Sequence, residues 1–121
     1  MTKILVVEDN DMNRNLLKRR LVLRGYEVVE AQDGAAGVAA AHAEQPDVIL
    51  MDINMPILDG WSATRQIRAS PITQAIPVIA VTATTPDEAR RNCLATGCNG
   101  YVGKPIDFTD LLAQIEGLLA N

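Results

Sequence analysis

Short unbroken apolar runs alternate along this chain with longer stretches in which apolar positions recur every three or four residues. Ile4-Leu5-Val6-Val7, Val48-Ile49-Leu50-Met51 and Pro77-Val78-Ile79-Ala80-Val81 are the clearest runs. Runs of that length between turn signals read as strands buried on both faces, as in the interior of a parallel sheet. Glu27-Val28-Val29-Glu30-Ala31 is a weaker strand because charges flank it, and Gly100-Tyr101-Val102-Gly103 is a short last one. Helices fill the intervals. Asn10 or Asp11 can cap the first, which runs to about residue 24 and stops at Gly25, with Met12, Leu16, Leu17 and Leu21 as its expected apolar face. Asp33-Gly34 turns into an alanine-rich helix over about 35–43, closed by Pro46, and Asp59-Gly60 opens a third over about 61–69, stopped by Ser70-Pro71. Thr85-Pro86-Asp87-Glu88 combines a capping hydroxyl, a first-turn proline and acids at the positive end of the dipole; that helix ends at Gly97. Asp107 caps the last helix, whose Leu111, Leu112, Ile115, Leu118 and Leu119 form one packed face.

Five alternating strand–helix units predict an α/β domain with a parallel sheet, helices on both faces and right-handed crossovers. No repeat or linker interrupts them, so residues 1–121 read as one domain. In the flavodoxin-like (βα)5 arrangement, a three-layer sandwich of strand order 2-1-3-4-5, strands 1, 3, 4 and 5 are neighbours and the weak second strand lies at an edge. Ligands of such sheets bind beyond the carboxyl ends of the strands. Glu8, Asp9, Asp52, Thr82 and Lys104 stand at those ends.

Composition narrows the function. A formal net charge of −4 argues against a general nucleic-acid binder. No apolar run approaches the ~20 residues that span a bilayer, and Met1-Thr2-Lys3 leads straight into the first strand without room for a signal peptide, so a cytoplasmic location is expected. The two cysteines, Cys93 and Cys98, lack the spacing of redox or zinc motifs and are expected as free, reduced thiols. His42, in the alanine-rich helix with no acidic or nucleophilic neighbour in sequence, is expected to pack rather than to catalyse.

Three convergent carboxylates repel one another and raise each other's pKa unless a cation lies among them. All-oxygen ligation by few carboxylates suits Mg²⁺ better than zinc or copper. A carboxylate can attack phosphorus as a covalent nucleophile, with a lysine and a hydroxyl binding the other phosphoryl oxygens. The charges of three acids, Mg²⁺ and one lysine sum to zero. Singly, each residue has a plainer reading: Glu8-Asp9 as a solvated turn, Asp52 as the point where a strand leaves the core, Thr82 as a strand-end hydroxyl, Lys104 as a surface lysine. Their joint placement favours the phosphoryl site.

At this point the sequence resembles the receiver domain of bacterial two-component response regulators over its whole length. The matching segments are ILVVEDN, VILMDINMPILDG, the VTA that ends the fourth strand, and YVGKP, in that order and at fitting separations. The resemblance implies that Asp52 is the phosphoacceptor. It implies that Asp9, Asp52 and the backbone carbonyl of Asn54 ligate Mg²⁺, with Glu8 acting through a metal-bound water. Thr82 and Lys104 would bind phosphoryl oxygens, assisted by backbone amides near Asn54 and Ala83, and Lys104–Pro105 would be a cis peptide. Thr82 and Tyr101 would be the switch residues, repacking the surface of the fourth helix, fifth strand and fifth helix; Tyr101 reads equally as an amphipathic side chain at a sheet edge. Asn54 and Thr84 occupy positions that tune phosphoryl lifetime in the family. Such a domain catalyses only its own phosphorylation and dephosphorylation.

The implied partner is a sensor histidine kinase or a histidine phosphotransfer protein. A phosphorylation-dependent homodimer is an open alternative, and neither membrane nor direct DNA binding is expected. Arg14, Lys18, Arg19, Arg20 and Arg24 on the first helix read either as a solvated face or as an electrostatic guide for an acidic partner. The chain ends just past the last apolar helix position, Leu119, so no output module is expected within it, whether it is a stand-alone regulator or a receiver cut from a larger protein; the EDN-x-x-N run from Glu8 to Asn13 resembles receivers fused to hybrid kinases. Two other classes compete. A haloacid-dehalogenase-like phosphatase also uses an aspartate nucleophile, Mg²⁺, a hydroxyl and a lysine, but generally carries a second aspartate two residues on, where this chain has Asn54. A flavodoxin-like FMN carrier needs a hydroxyl- and glycine-rich phosphate loop after the first strand, where Glu8-Asp9-Asn10-Asp11 would repel a phosphate.

Overall fold

A computed structural model describes residues 1–120. Five strands alternate with five helices: β1 (Lys3–Val7), α1 (Asp11–Leu23), β2 (Glu27–Ala31), α2 (Gly34–Glu44), β3 (Val48–Asp52), α3 (Gly60–Ala69), β4 (Val78–Thr82), α4 (Pro86–Thr96), β5 (Gly100–Gly103) and α5 (Phe108–Leu119). All pairings are parallel and the strand order is β2-β1-β3-β4-β5, the flavodoxin-like arrangement. The charge-flanked β2 takes the edge, where one face and one rim can stay in water.

Strand alternation divides the core into two layers. Ile4, Val6, Val48, Leu50, Ile79 and Val81 face α1 and α5, meeting Leu17, Leu21, Leu111, Leu112 and Ile115. Leu5, Val7, Ile49, Met51 and Val78 face the other way, onto Ala41 of α2 and Ala63 and Ile67 of α3. Each helix starts on a side-chain cap that accepts a backbone N–H of the first turn: Asn10, Asp33, Asp59, Thr85 and Asp107. His42 ties α2 to the end of α3. Its Nδ1 donates to the Val38 carbonyl at 3.0 Å, and its Nε2 shares a hydrogen bond with the Ser70 hydroxyl at 2.9 Å.

Two expectations are corrected. Met12 and Leu16 are not part of the buried face of α1: they are 80% and 48% exposed, whereas Leu17 and Leu21 are buried. Each residue advances about 100° around a helix, so a helix lying on a flat sheet buries the stripe of Leu17 and Leu21 and turns Leu16 and Met12 aside. Nor are Cys93 and Cys98 free thiols; a disulfide joins them. Gly97, at φ +87°, ends α4 in the left-handed conformation, and the Cys98 N–H turns back to the Cys93 carbonyl at 3.1 Å. That helix stop brings the side chains on either side of it together. The two Cα atoms are 4.9 Å apart, within the span of a disulfide.

The asymmetry within α1 is directly measurable. Leu21→Ala is expected to cost about 3 kcal/mol of unfolding free energy through cavity formation. Met12→Ala should change it by less than about 0.5 kcal/mol. Urea denaturation of the two variants separates this packing from the alternative of one continuous apolar face, in which both would be costly.

Candidate functional site

The carboxyl ends of β1, β3 and β5 converge on one charged cluster. Glu8 extends β1, its N–H bonded to the Ala31 carbonyl at 3.1 Å, and its side chain is 4% exposed. Its Oε2 accepts the Asn10 N–H at 3.2 Å. Asp9 follows in the open. Asp52 ends β3 at 2% exposure, and among the described residues neither of its buried carboxylate oxygens makes a hydrogen bond. The Lys104 ammonium lies 2.7 Å from Asp52 Oδ1 as an ion pair. Lys104 is positioned by its own N–H, which continues the β4–β5 ladder to the Thr82 carbonyl at 3.0 Å, and the Lys104–Pro105 peptide bond is cis.

Glu8, Asp9 and Asp52 can each present one oxygen such that all three lie within 4.8 Å of one another. An unsatisfied buried carboxylate is costly in a low-dielectric setting, and oxygens held this close fit a small divalent cation. The charge pattern agrees with that fit. Burial, then the closeness and negative charge of neighbouring Asp52, push the Glu8 carboxyl up to about 7. Burial alone would lower the Lys104 ammonium, but its ion pair with Asp52 and the fields of Glu8 and Asp9 outweigh it and hold the pKa above the ordinary lysine value. One lysine thus stands against three acids, a deficit that a divalent cation would make up.

Thr82 ends β4 almost fully buried, with its hydroxyl 3.0 Å from that of Thr84 and accepting the Thr84 N–H at 3.2 Å. Tyr101 is half-buried on β5 opposite Ala80, and its carbonyl accepts from Gln114 at 3.0 Å. Asn54 is exposed in the loop after Asp52. Three features of the site's surroundings carried no signal in the sequence reading. A side chain at Gly60 would collide with the Asp52 carbonyl, so the start of α3 can approach the end of β3 only as glycine. Ile57, at φ +71°, forms the centre of a tight three-residue turn closed by the Leu58 N–H on the Pro56 carbonyl at 2.8 Å. Arg14, read as a surface cation, is largely buried: it donates to the Glu8 carbonyl at 2.9 Å and pairs with Asp11 and Glu30.

An acidic cluster beside a lysine at the carboxyl edge of a doubly wound sheet marks a candidate cation-binding site of a signalling-domain class, and sequence comparison makes the class definite. The chain belongs to the response regulator receiver domain family, whose model matches residues 4–116. It is 41% identical over 121 residues to PilH of Pseudomonas aeruginosa, with the whole of each chain covered. It is 38% identical over 116 residues to the response regulator PleD of Caulobacter vibrioides, covering 96% of this chain but 26% of PleD. Among solved structures, the receiver domain of the Pseudomonas aeruginosa sensor histidine kinase PA1611, with a magnesium ion in its active-site cleft, superposes with a TM-score of 0.91 at 38% identity, covering 99% of this chain and 98% of that one. The chemotaxis protein CheY4 of Vibrio cholerae also gives 0.91, at 31% identity, covering 98% and 99%. Receiver domains are signalling domains of two-component systems, and the phosphatase alternative is not favoured. No helix among the described residues is long and apolar enough to cross a membrane.

The raised Glu8 pKa has a defined consequence for stability without metal. Between its ordinary value and about 7 the folded chain holds a proton that the unfolded chain has released, so stability falls as pH rises through that window. In EDTA, unfolding free energy is expected to drop from pH 5 to pH 7.5 by at most about 3 kcal/mol, and Glu8→Gln should flatten that drop. Denaturation at a series of pH values checks it.

Proposed function

We propose that Asp52 accepts a phosphoryl group from a phosphohistidine and that this changes the surface of α4, β5 and α5. The single observation that carries the reading is the buried Asp52 carboxylate, without hydrogen bonds, facing Lys104 and two further acids. One Asp52 oxygen attacks phosphorus as the phosphorus–nitrogen bond to the donor imidazole breaks, and the leaving imidazole takes up a proton. Lys104, already aimed at Asp52, screens the transferred oxygens. Asp9, Asp52 and the Asn54 carbonyl would hold Mg²⁺, with Glu8 acting through water. Held there, the ion would supply positive charge against the incoming phosphoryl oxygens.

In the described conformation the Thr82 hydroxyl is engaged with Thr84. Binding a phosphoryl oxygen requires it to turn away, and we infer that the half-buried Tyr101 follows inward. Support for this order lies in register, since Thr82 pairs with Gly103 and Tyr101 lies two residues before it on the adjoining strand. The donor kinase or phosphotransfer protein would dock beside the site. Of the basic residues on α1, Arg14 and Lys18 are already paired with acids of this chain and Arg20 stacks on Phe108, at 4.5 Å from the ring centroid. That leaves little for an electrostatic guide. A groove of about 540 Å³ beside Glu8 and Lys104, with Leu16, Pro105 and Ile106 in its wall, offers an apolar footing instead. We take residues 1–121 as one receiver unit that works in the cytoplasm.

With Mg²⁺ and acetyl phosphate the chain is expected to gain one acid-stable, base-labile phosphoryl group, and Asp52→Asn to gain none. Equal labelling of the variant, measured by intact mass, would refute the assignment. Mg²⁺ at a hundred times its Kd is expected to stabilise the fold by about 2.7 kcal/mol, because it binds only the assembled acids. Asp9→Asn should abolish that shift in a melting experiment.

A further inference from the structure

We propose that Cys93 and Cys98 form a reversible dithiol–disulfide site, exchanging with small thiols and disulfides, that sets how firmly the last turn of α4 is held to β5. The inference is independent of phosphoryl transfer. It rests on how the two sulfurs are brought together. Their proximity is set by the backbone turn at Gly97, in which the N–H groups of Gly97 and Cys98 both reach the Cys93 carbonyl, at 2.9 and 3.1 Å. Arg68 anchors that turn from α3: its Nε donates to the Gly97 carbonyl at 2.8 Å and a terminal nitrogen to Asn99 Oδ1 at 2.7 Å. The same Asn99 oxygen accepts the Val78 N–H at 2.9 Å, joining the turn to the start of β4. None of these bonds uses sulfur, so the thiols of the reduced chain stay side by side.

Both redox states are also accommodated chemically. The Cys93 and Cys98 sulfurs lie 3.8 and 3.5 Å from the Gly100 carbonyl oxygen, an acceptor within reach of either thiol proton once the bond opens. Access is unequal. Cys93 is 7% exposed, whereas Cys98 is only half-buried. Cys98 is therefore the entry point. Its thiolate attacks one sulfur of a small disulfide and expels one thiolate, giving a mixed disulfide. The Cys93 thiolate then attacks the Cys98 sulfur and expels the second. Two protein thiols and one small disulfide become one protein disulfide and two small thiols, each leaving thiolate taking up a proton. A small dithiol reverses the sequence. The bond crosses from α4 to the residues that lead into β5, so its closure tightens the junction between those elements.

The test starts from fully reduced chain freed of reductant and treated with oxidised glutathione, followed by acid-quenched intact mass and thiol titration. Loss of both thiols is expected, with a mass lower by two hydrogens (about 2 Da), and recovery of both with dithiothreitol. Cys93→Ala should stop at a glutathione adduct on Cys98, and Cys98→Ala should react at least about tenfold more slowly through the buried Cys93. Amide exchange at residues 97 and 98 should be at least about threefold faster in the reduced chain than in the oxidised one. Stable glutathione adducts or covalent dimers of the parent in place of the internal bond, equal rates for the two variants, or identical amide exchange in both redox states would overturn the proposal.

Discussion

A carboxylate almost sealed from water, with one ammonium beside it, is the constraint on which this molecule depends. Asp52 lies at the end of a strand buried along its whole length, and among the described residues its oxygens meet the Lys104 ammonium as an ion pair without a further hydrogen bond. Burying a charge without partners is normally prohibitive. Lys104, 2.7 Å away, offsets part of that cost, while Glu8 and Asp9 add to the negative charge. The excess negative charge makes the site chemically specific, because a small divalent cation can balance it.

The rest of the fold serves to hold that imbalance in place. Parallel strands expose their carboxyl ends at one edge, and register aligns Asp52 with Val81, one residue before Thr82. The Thr82 carbonyl in turn accepts the Lys104 N–H, so the hydroxyl and the ammonium are set by one hydrogen-bonded ladder. Gly60 lets α3 begin against the Asp52 backbone, and Arg14 fixes the Glu8 carbonyl from α1. A rigid sheet edge of this kind can keep like charges close, because the backbone bonds that position them are far more numerous than the charges themselves.

The sheet edge and the α4–β5 junction are linked by short stretches of chain. Tyr101 lies one residue beyond Gly100, whose carbonyl faces both sulfurs. The proposed phosphoryl switch and the proposed redox site thus meet on β5, one acting from the Thr82 side and the other from the end of α4. Arg68 holds α3, the Gly97 turn and the segment leading into β4 together.

What the sequence determined by itself was whatever depends on local chemistry and periodicity. The apolar runs specified the strands, the caps Asn10, Asp33, Asp59, Thr85 and Asp107 specified where helices start, and alternation of the two specified the parallel order. The acids and the lysine were legible because strand ends in such a sheet must share an edge. What tertiary structure alone decided concerned distance and direction between segments. It turned Met12 and Leu16 outward, drew Arg14 inward to the Glu8 carbonyl, and made Gly60 obligatory through its approach to Asp52. It also joined Cys93 to Cys98, although a helix ending at Gly97 was already a local sign that those two side chains would meet. Periodicity says which residues share a face of one element; only the packing of elements against each other says which of those faces is covered, and by what.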